Sequence, residues 1–170
     1  MKIKDSRGLF ETGLRYAYDC EQKLVKKGIP GMIKGSSSPE LRSALEQHLQ
    51  ETRNHVTRLE RVFGAIGSEP KTEDNDIVDE MVDAAENMIS ATEEGSPLRD
   101  AAIIVSGNFV EHYEMAAYGS LVAFAQHMGM SEVVNLLQQT LQEEKAADAK
   151  LTQIGEKLVN PKAIQERRAA

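Results

Sequence analysis

The sequence predicts an all-α protein, a bundle of four long helices in two antiparallel hairpins that one long crossover joins. Three observations predict this class. Apolar residues recur at helical spacing along four long stretches of the chain. Glycine, serine and proline residues separate these stretches, several of them in the order that starts a helix. No stretch combines alternating apolar and polar residues with the β-branched enrichment of a strand.

The first hairpin consists of two predicted helices around a turn at Ser36. The first helix covers residues 5–27, and Pro30 is expected to kink or fray its end because proline lacks a backbone N–H. Ser38 as N-cap and Pro39 at the first helical position then start the second helix. This helix is expected to end near residues 64–67.

A connection of roughly thirty residues, 67–97, links the two hairpins and contains a shorter amphipathic helix at 77–88. A link of this length can travel the full length of a bundle, so the second and third long helices are expected to run in the same direction. A bundle with one long crossover is the ferritin-like arrangement.

The second hairpin begins at Ser96 and Pro97, which repeat the helix start signal. The third helix is predicted to run to residue 127, and Gly129 is predicted to prevent its continuation. Ser131 is predicted to cap a fourth helix that ends near residue 158. We therefore predict one helical domain at 1–159. The tail at 160–170 carries little apolar surface, and we expect it to be partly disordered.

Composition excludes several functional classes. Twenty Lys and Arg stand against 27 Asp and Glu, and a net charge of −7 disfavours general nucleic-acid binding. Cys20 is the one cysteine, which excludes an internal disulfide framework and a cysteine-based zinc site. No apolar run approaches the roughly eighteen residues of a membrane span. Residues 1–10 lack the apolar segment of a secretory signal, so the sequence predicts a cytoplasmic protein.

Four glutamates lie within the otherwise apolar helix faces: Glu21, Glu51, Glu114 and Glu144. The first two each lie fifteen residues from Ser36, and the last two each lie fifteen residues from Gly129. Residues equidistant from a hairpin turn lie at about the same height, here roughly 22 Å along the axis. Four carboxylates that meet in a core repel one another unless a cation neutralises them, so this spacing predicts a dinuclear metal site.

Further candidate ligands share the faces of these glutamates. His48, Glu51 and His55 lie within about 60° of one another on the second helix at 100° per residue. Glu111 shares a face with Glu114 on the third helix, and Asp148 follows Glu144 by one turn. A carboxylate-rich set with imidazole favours iron or manganese, with zinc as a further possibility.

Three further side chains near these ligands, those of His112, Glu143 and Cys20, are expected to play no part in such a site. His112 points away from Glu114 by roughly 200°, and Glu143 faces about 100° away from Glu144 toward solvent. Cys20 is interpreted as a small packing residue. Tyr118 shares the face of Glu114, where it could donate a proton or an electron, or could be a core aromatic with a hydrogen-bonded hydroxyl.

The segments that carry these residues resemble the YciE/YciF family. They are residues 18–24 (YDCEQKL), 48–52 (HLQET), 111–114 (EHYE) and 143–148 (EEKAAD), and the match runs in order along almost the whole chain. The resemblance implies a ferritin-like bundle similar in fold to rubrerythrin, a candidate dinuclear site and a homodimer. It also implies an association with bacterial stress responses, in a family with no settled biochemical activity.

The sequence departs from the better-known ferritin-like pattern, in which the second and fourth helices each carry Glu-x-x-His. Asn54 follows Glu51 by three residues, and Ala147 follows Glu144 by three. His48 could replace one missing histidine, and Asp148 or Glu111 could complete the other side.

Two functions of different classes follow. The first is a dinuclear metal protein that handles iron, oxygen or peroxide under stress, as a ferroxidase or a peroxide-consuming enzyme. The second is a non-catalytic helical stress protein whose polar core is a relic or a hydrogen-bond network. Iron storage in a cage is weaker, since nothing in the chain indicates cage assembly.

Overall fold

The computed structural model describes residues 3–169, with side chains as far as residue 165, and all regular secondary structure in this range is helical. Two π-helical turns, Leu24–Gly28 and Gly155–Val159, interrupt the α-helices. The α-helices are α1 (Ser6–Lys23), α2 (Ile29–Gly35), α3 (Pro39–Ala65), α4 (Asp76–Ser90), α5 (Pro97–His127), α6 (Ser131–Ile154) and α7 (Asn160–Ala169).

Helices α1, α3, α5 and α6 form the bundle, in which α1 and α6 each pack against both α3 and α5. Helix α1 is antiparallel to α5, because Gly13 lies against Leu121 and Cys20 lies against Glu114. It is also antiparallel to α3, since Tyr18 packs on Phe63 and Glu21, further along α1, lies against His55, earlier in α3. Helices α3 and α5 therefore run in the same direction, and the predicted ferritin-like bundle is confirmed.

The crossover spans the whole bundle. At one end, the Arg7 side chain donates a hydrogen bond of 2.8 Å to the carbonyl of Ile66, just after α3. At the other end, the buried Asp100 carboxylate accepts hydrogen bonds from the backbone N–H groups of Ser37 and Ser38 at 2.7 and 2.9 Å. Between these ends, α4 packs on the outside of α5.

Local signals account for most helix boundaries. Ser38 and Ser96 cap α3 and α5 as predicted. Gly129 has a φ of +70° in the α5–α6 turn, a conformation that glycine adopts without strain. The prediction for Ser131 is wrong by one position: Met130 is the N-cap of α6, without a side-chain hydrogen bond, and Ser131 is the first helical residue.

The helical backbone that begins with α1 is distorted before Pro30 but continues beyond it as α2. In the π-helical turn at 24–28, the N–H of Ile29 bonds to the carbonyl of Leu24, five residues earlier. This wider turn accommodates Pro30, which has no N–H to donate, and α2 continues to Gly35. At the other end of the chain, the segment predicted as a tail continues as α7, and the domain boundary at 159 stays a prediction.

The hydrophobic core consists of two separate clusters. The first, the Ser36-end core, includes Leu24, Leu45, Ile103 and Leu151. The second, the Gly129-end core, includes Phe10, Phe63 and Leu137. A layer of buried polar side chains separates the two clusters at the middle of the bundle.

Candidate metal centre

All four helices of the bundle contribute side chains to this polar layer. Six ionisable residues lie in it, each at most 7% exposed: Glu21 from α1, His48 and His55 from α3, Glu111 and Glu114 from α5, and Glu144 from α6. Glu21, His55 and Glu144 are fully buried. We call these six residues the central cluster.

The central cluster divides into two overlapping groups of possible metal ligands. His48, Glu111, Glu114 and Glu144 each offer one ligand atom within 4.8 Å of the others, and so do Glu21, His55 and Glu144. Glu144 belongs to both groups. The two groups therefore share one carboxylate.

His55 is held from the outside by an acidic partner. Its Nε2 lies 2.8 Å from Glu143 Oε2, while its Nδ1 lies 3.0 Å from Glu144 Oε1 and 3.4 Å from Glu21 Oε1. Arg58 donates to both Glu143 oxygens, at 2.9 and 3.2 Å, and fixes that carboxylate. A histidine that donates one ring N–H to a carboxylate presents its other nitrogen in the orientation that a metal ligand needs.

His48 has a related but looser arrangement. Its Nε2 lies 3.2 Å from Glu111 Oε1 and 3.9 Å from Glu144 Oε2. On its outer side, Nδ1 lies 3.6 Å from Glu51 Oε2, which is too long for a hydrogen bond. Glu51 thus takes the outer position beside His48 that Glu143 takes beside His55.

The buried ligand atoms are left without hydrogen-bond partners, and this makes the central cluster fit a metal. Within the described part of the chain, five carboxylate oxygens of the cluster have no hydrogen-bond partner: Oε2 of Glu21, Glu111 and Glu114, and both oxygens of Glu144, of which Oε1 has only the ion pair with His55 Nδ1. An unsatisfied buried polar group costs stability, and a buried charge costs more. A bound cation would satisfy these atoms, so the cluster could hold a metal ion.

The two carboxylates at the centre have raised pKa values. Burial is the largest cause for both, and the pKa of Glu144 rises to about 7 in spite of its contact with His55. Burial and the negative charges of Glu144 and Glu21 hold the pKa of Glu114 well above its usual range. Without a cation, these residues therefore retain protons at pH values where exposed carboxylates have lost them.

Both histidines have raised pKa values for the opposite reason. Burial is the largest single influence and lowers the pKa of each, but the neighbouring carboxylates more than compensate. Glu21 and Glu144 raise the pKa of His55 to about 10. Glu111 and Glu51, followed by Glu144, raise that of His48 well above its usual value. In the metal-free protein, the imidazolium ions partly neutralise the carboxylates.

Tyr118 and Cys20 border the central cluster. The Tyr118 hydroxyl donates a hydrogen bond to Glu21 Oε1, and burial with the charges of Glu21 and Glu114 raises its pKa well above the usual value. The Cys20 thiol lies 3.6 Å from Glu114 Oε1, and burial raises its pKa. Both groups therefore hold their protons beside the cluster.

Glu51 and Asp148 are the predicted ligands that the structure does not bring into the central cluster. The Glu51 side chain is 31% exposed, and Gln47 donates to it at 2.9 Å. Asp148 accepts a hydrogen bond from Asn108 at 2.9 Å and pairs with the exposed His112 at 3.3 Å. These contacts hold the Asp148 carboxylate on the outer side of the α5–α6 pair.

The position of Glu51 has a geometric cause. Counting from the turn places it level with Glu21, but the π-helical turn and the non-helical residues 36–38 interrupt the regular rise that this count assumes. His55, one turn further along α3, takes the level of Glu21. The buried residues His48, Thr52 and His55 mark the side of α3 that faces the bundle interior. Around the helix axis, Glu51 lies about 65° from the centre of that side, so its carboxylate points toward the edge of the bundle.

The support of His55 from its outer side is not evident in the sequence. The prediction that Glu143 faces solvent is wrong: its side chain is half-buried and contacts both His55 and Arg58. Arg58 is buried and also donates to Thr140 at 2.6 Å. The signal that could have revealed this pair is the position of Arg58 one turn after His55, since a buried arginine requires a carboxylate partner.

A cavity of about 270 Å³ between α3 and α6 reaches the central cluster from the surface. Its inner end is formed by His48 and Glu111. Glu51 and Lys150 also line it, and alanines make up much of its wall: Ala44, Ala146 and Ala147.

Comparison with known proteins gives the family. A family model described as "Domain of unknown function (DUF892)" matches residues 5–164. The chain belongs to the DUF892 family. Protein YciF of Escherichia coli strain K12 is 32% identical over 164 residues, which are 96% of this chain and 98% of YciF. The resemblance to the YciE/YciF family is thereby confirmed.

Solved structures of DUF892 relatives share the fold. The E. coli stress protein YciF superposes with a TM-score of 0.87, at 32% identity, over 92% of this chain and 98% of YciF. YcfI of Rhodopseudomonas palustris, for which a structural role has been suggested, has a TM-score of 0.86 at 34% identity, over 89% and 95% of the two chains. A Xanthomonas campestris protein at 23% identity, with a TM-score of 0.74, shows the fold alone.

Within residues 3–169, no helix combines the length and the apolar character that crossing a bilayer requires.

The metal-free protein is expected to lose stability as pH rises from 6 to 9. Glu144 and His55 both have folded-state pKa values above their unfolded values, so the folded state binds more protons than the unfolded state in this window. Their stabilising contribution is present at low pH and is lost as pH rises through about 7 and then about 10. Urea unfolding in the presence of a chelator at pH 6, 7.5 and 9 measures the free energy of unfolding of the metal-free protein. A free energy of unfolding that rises with pH would contradict this prediction.

Proposed function

We propose that this DUF892 protein binds two divalent cations, with iron first and manganese second, in the central cluster. The observation that carries the proposal is the set of five buried carboxylate oxygens without hydrogen-bond partners. An acidic cluster alone would be weak support, since acidic groups often occur without a metal. Here the unpaired oxygens lie on residues that are at most 3% exposed.

Charge balance supports two cations rather than one. The central cluster contains four carboxylates, and two divalent cations neutralise them while both imidazoles remain neutral and free to coordinate. The two overlapping ligand groups provide one position for each cation. Four carboxylates with two imidazoles form a set that suits iron or manganese better than zinc, whose structural sites favour sulfur and nitrogen.

The chain's own residues would support redox chemistry at such a pair. Two bound iron or manganese ions would supply one-electron steps toward oxygen or peroxide. Glu144 would hold both positions together, while Glu143 and Arg58 would keep His55 Nδ1 directed inward. The Tyr118 hydroxyl, hydrogen-bonded to Glu21, would hold a proton at the edge of the cluster. The proposed activity is therefore ferroxidase or peroxide consumption.

A role under stress follows from the relative named as a stress protein, E. coli YciF. A second candidate function is a non-catalytic structural role. It is favoured by the ion pairs that His55 and His48 make with the cluster carboxylates, which partly compensate the buried charges without a metal. The cytoplasmic location also stays a prediction.

Metal titration tests the binding proposal. Wild-type protein prepared with a chelator and then titrated with Mn(II) or Fe(II) under anaerobic conditions is expected to bind two ions per chain. Glu144→Gln is expected to bind one or none, because Glu144 belongs to both ligand groups. Glu132→Gln, an exposed site on the same helix, serves as the control and should bind two. A wild type that binds no metal overturns the proposal.

Iron oxidation tests the proposed activity. Anaerobically Fe(II)-loaded wild type, mixed with oxygen or hydrogen peroxide, is expected to oxidise Fe(II) and consume the oxidant faster than Glu144→Ala and a protein-free blank. Absorbance and peroxide consumption measure the two rates. Equal rates for wild type and variant contradict the enzymatic function and favour the structural role.

We also propose that the protein is a homodimer, on the basis of the family resemblance. Exposed apolar side chains on α5, at Leu98, Val105 and Phe109, offer surface that a second copy could cover. Sedimentation is expected to give a dimer at micromolar concentration, and a clean monomer would contradict it.

A further inference from the structure

We propose that the cavity between α3 and α6 is the cation entry route to the central cluster, and that Glu51 is its entry residue rather than a resident ligand. The inference rests on the proposed metal function and adds the path by which divalent cations reach the cluster. Three observations support it: the position of the cavity, the gradient of exposure along its ionisable side chains, and the composition of its wall.

The cavity connects solvent to the ligands of one of the two groups. It is lined by Glu51, His48 and Glu111, and the exposed fractions of these side chains fall from 31% to 9% to 4%. Glu144, which lies 3.9 Å beyond His48, is fully buried. A cation that enters this cavity would therefore meet the half-exposed carboxylate first and the buried ligands afterwards.

The surroundings of the Glu51 carboxylate suit a cation that binds there only transiently. Gln47 donates to Oε1 at 2.9 Å, while Oε2 lies 3.6 Å from His48 Nδ1 without a hydrogen bond. Because the side chain is only partly desolvated, a cation that binds there can leave toward the cluster.

The wall also contains Leu45, Gln47 and Leu151, and three alanines keep part of it free of larger side chains. Ala44, Ala146 and Ala147 carry the smallest side chains with a Cβ, so they leave the space that larger residues would fill. Lys150 places a cationic side chain in the cavity wall as well. Its positive charge repels an incoming cation, whereas the negative charge of Glu51 attracts it. The two residues should therefore have opposite effects on the rate of cation entry.

The test separates the rate of loading from the metal content at equilibrium. Metal-free protein is mixed with Co(II) in a stopped-flow spectrophotometer, and the bound metal is counted after equilibration. Glu51→Gln is expected to slow loading by roughly tenfold, and Lys150→Gln to accelerate it, with both effects reduced at high salt. Both variants should bind as much Co(II) at equilibrium as wild type does.

Matched variants control for general effects of charge and size. Glu46→Gln removes an exposed carboxylate from α3 outside the cavity and should load at the wild-type rate. Ala147→Leu narrows the cavity and should slow loading, whereas Ala149→Leu adds the same volume on the exposed side of α6 and should not.

The outcomes distinguish this inference from the proposed function. Normal loading of Glu51→Gln and Ala147→Leu, in a wild type that binds metal, overturns the entry route and leaves the proposed function intact. A Glu51→Gln variant that loads at the normal rate but binds less metal at equilibrium also overturns it, since Glu51 would then be a ligand or would position His48. A wild type that takes up no metal overturns both.

Discussion

The burial of four carboxylates at the centre of a helical bundle is the constraint on which the rest of the structure depends. Each buried charge is costly unless a counter-charge lies in direct contact with it. Two histidines supply part of that counter-charge, and their raised pKa values reflect it. The raised pKa values of Glu114 and Glu144 show that the compensation is incomplete. Two divalent cations would complete it.

This constraint also explains the layered core. The two hydrophobic clusters lie on opposite sides of the polar layer, so each end of the bundle is stabilised by its own apolar contacts. The ends can therefore carry the stability that the centre lacks. Such a division is characteristic of sites in which function, rather than folding, requires the buried groups.

The fold could be predicted from the sequence because its determinants are local. Apolar spacing locates the four long helices, Ser38 and Ser96 mark two helix starts, and the length of the crossover sets the parallel direction of α3 and α5. The site could be predicted only in part, because its register depends on non-local geometry. The π-helical turn at 24–28 breaks the count that aligns Glu21 with Glu51, so His55 takes the expected level. The support of His55 by Glu143 also depends on how α3 and α6 pack, which spacing along one chain does not specify.

An anomalous difference map from crystals grown with Mn(II) or Fe(II) would test most directly whether the central cluster binds two cations. Two peaks are expected between α1, α3, α5 and α6, roughly 3.5–4 Å apart, as in other dinuclear centres. One peak should lie among His48, Glu111 and Glu114 and the other between Glu21 and His55, with Glu144 in contact with both. A map without peaks in the central cluster, or with peaks only at surface carboxylates, would contradict the account.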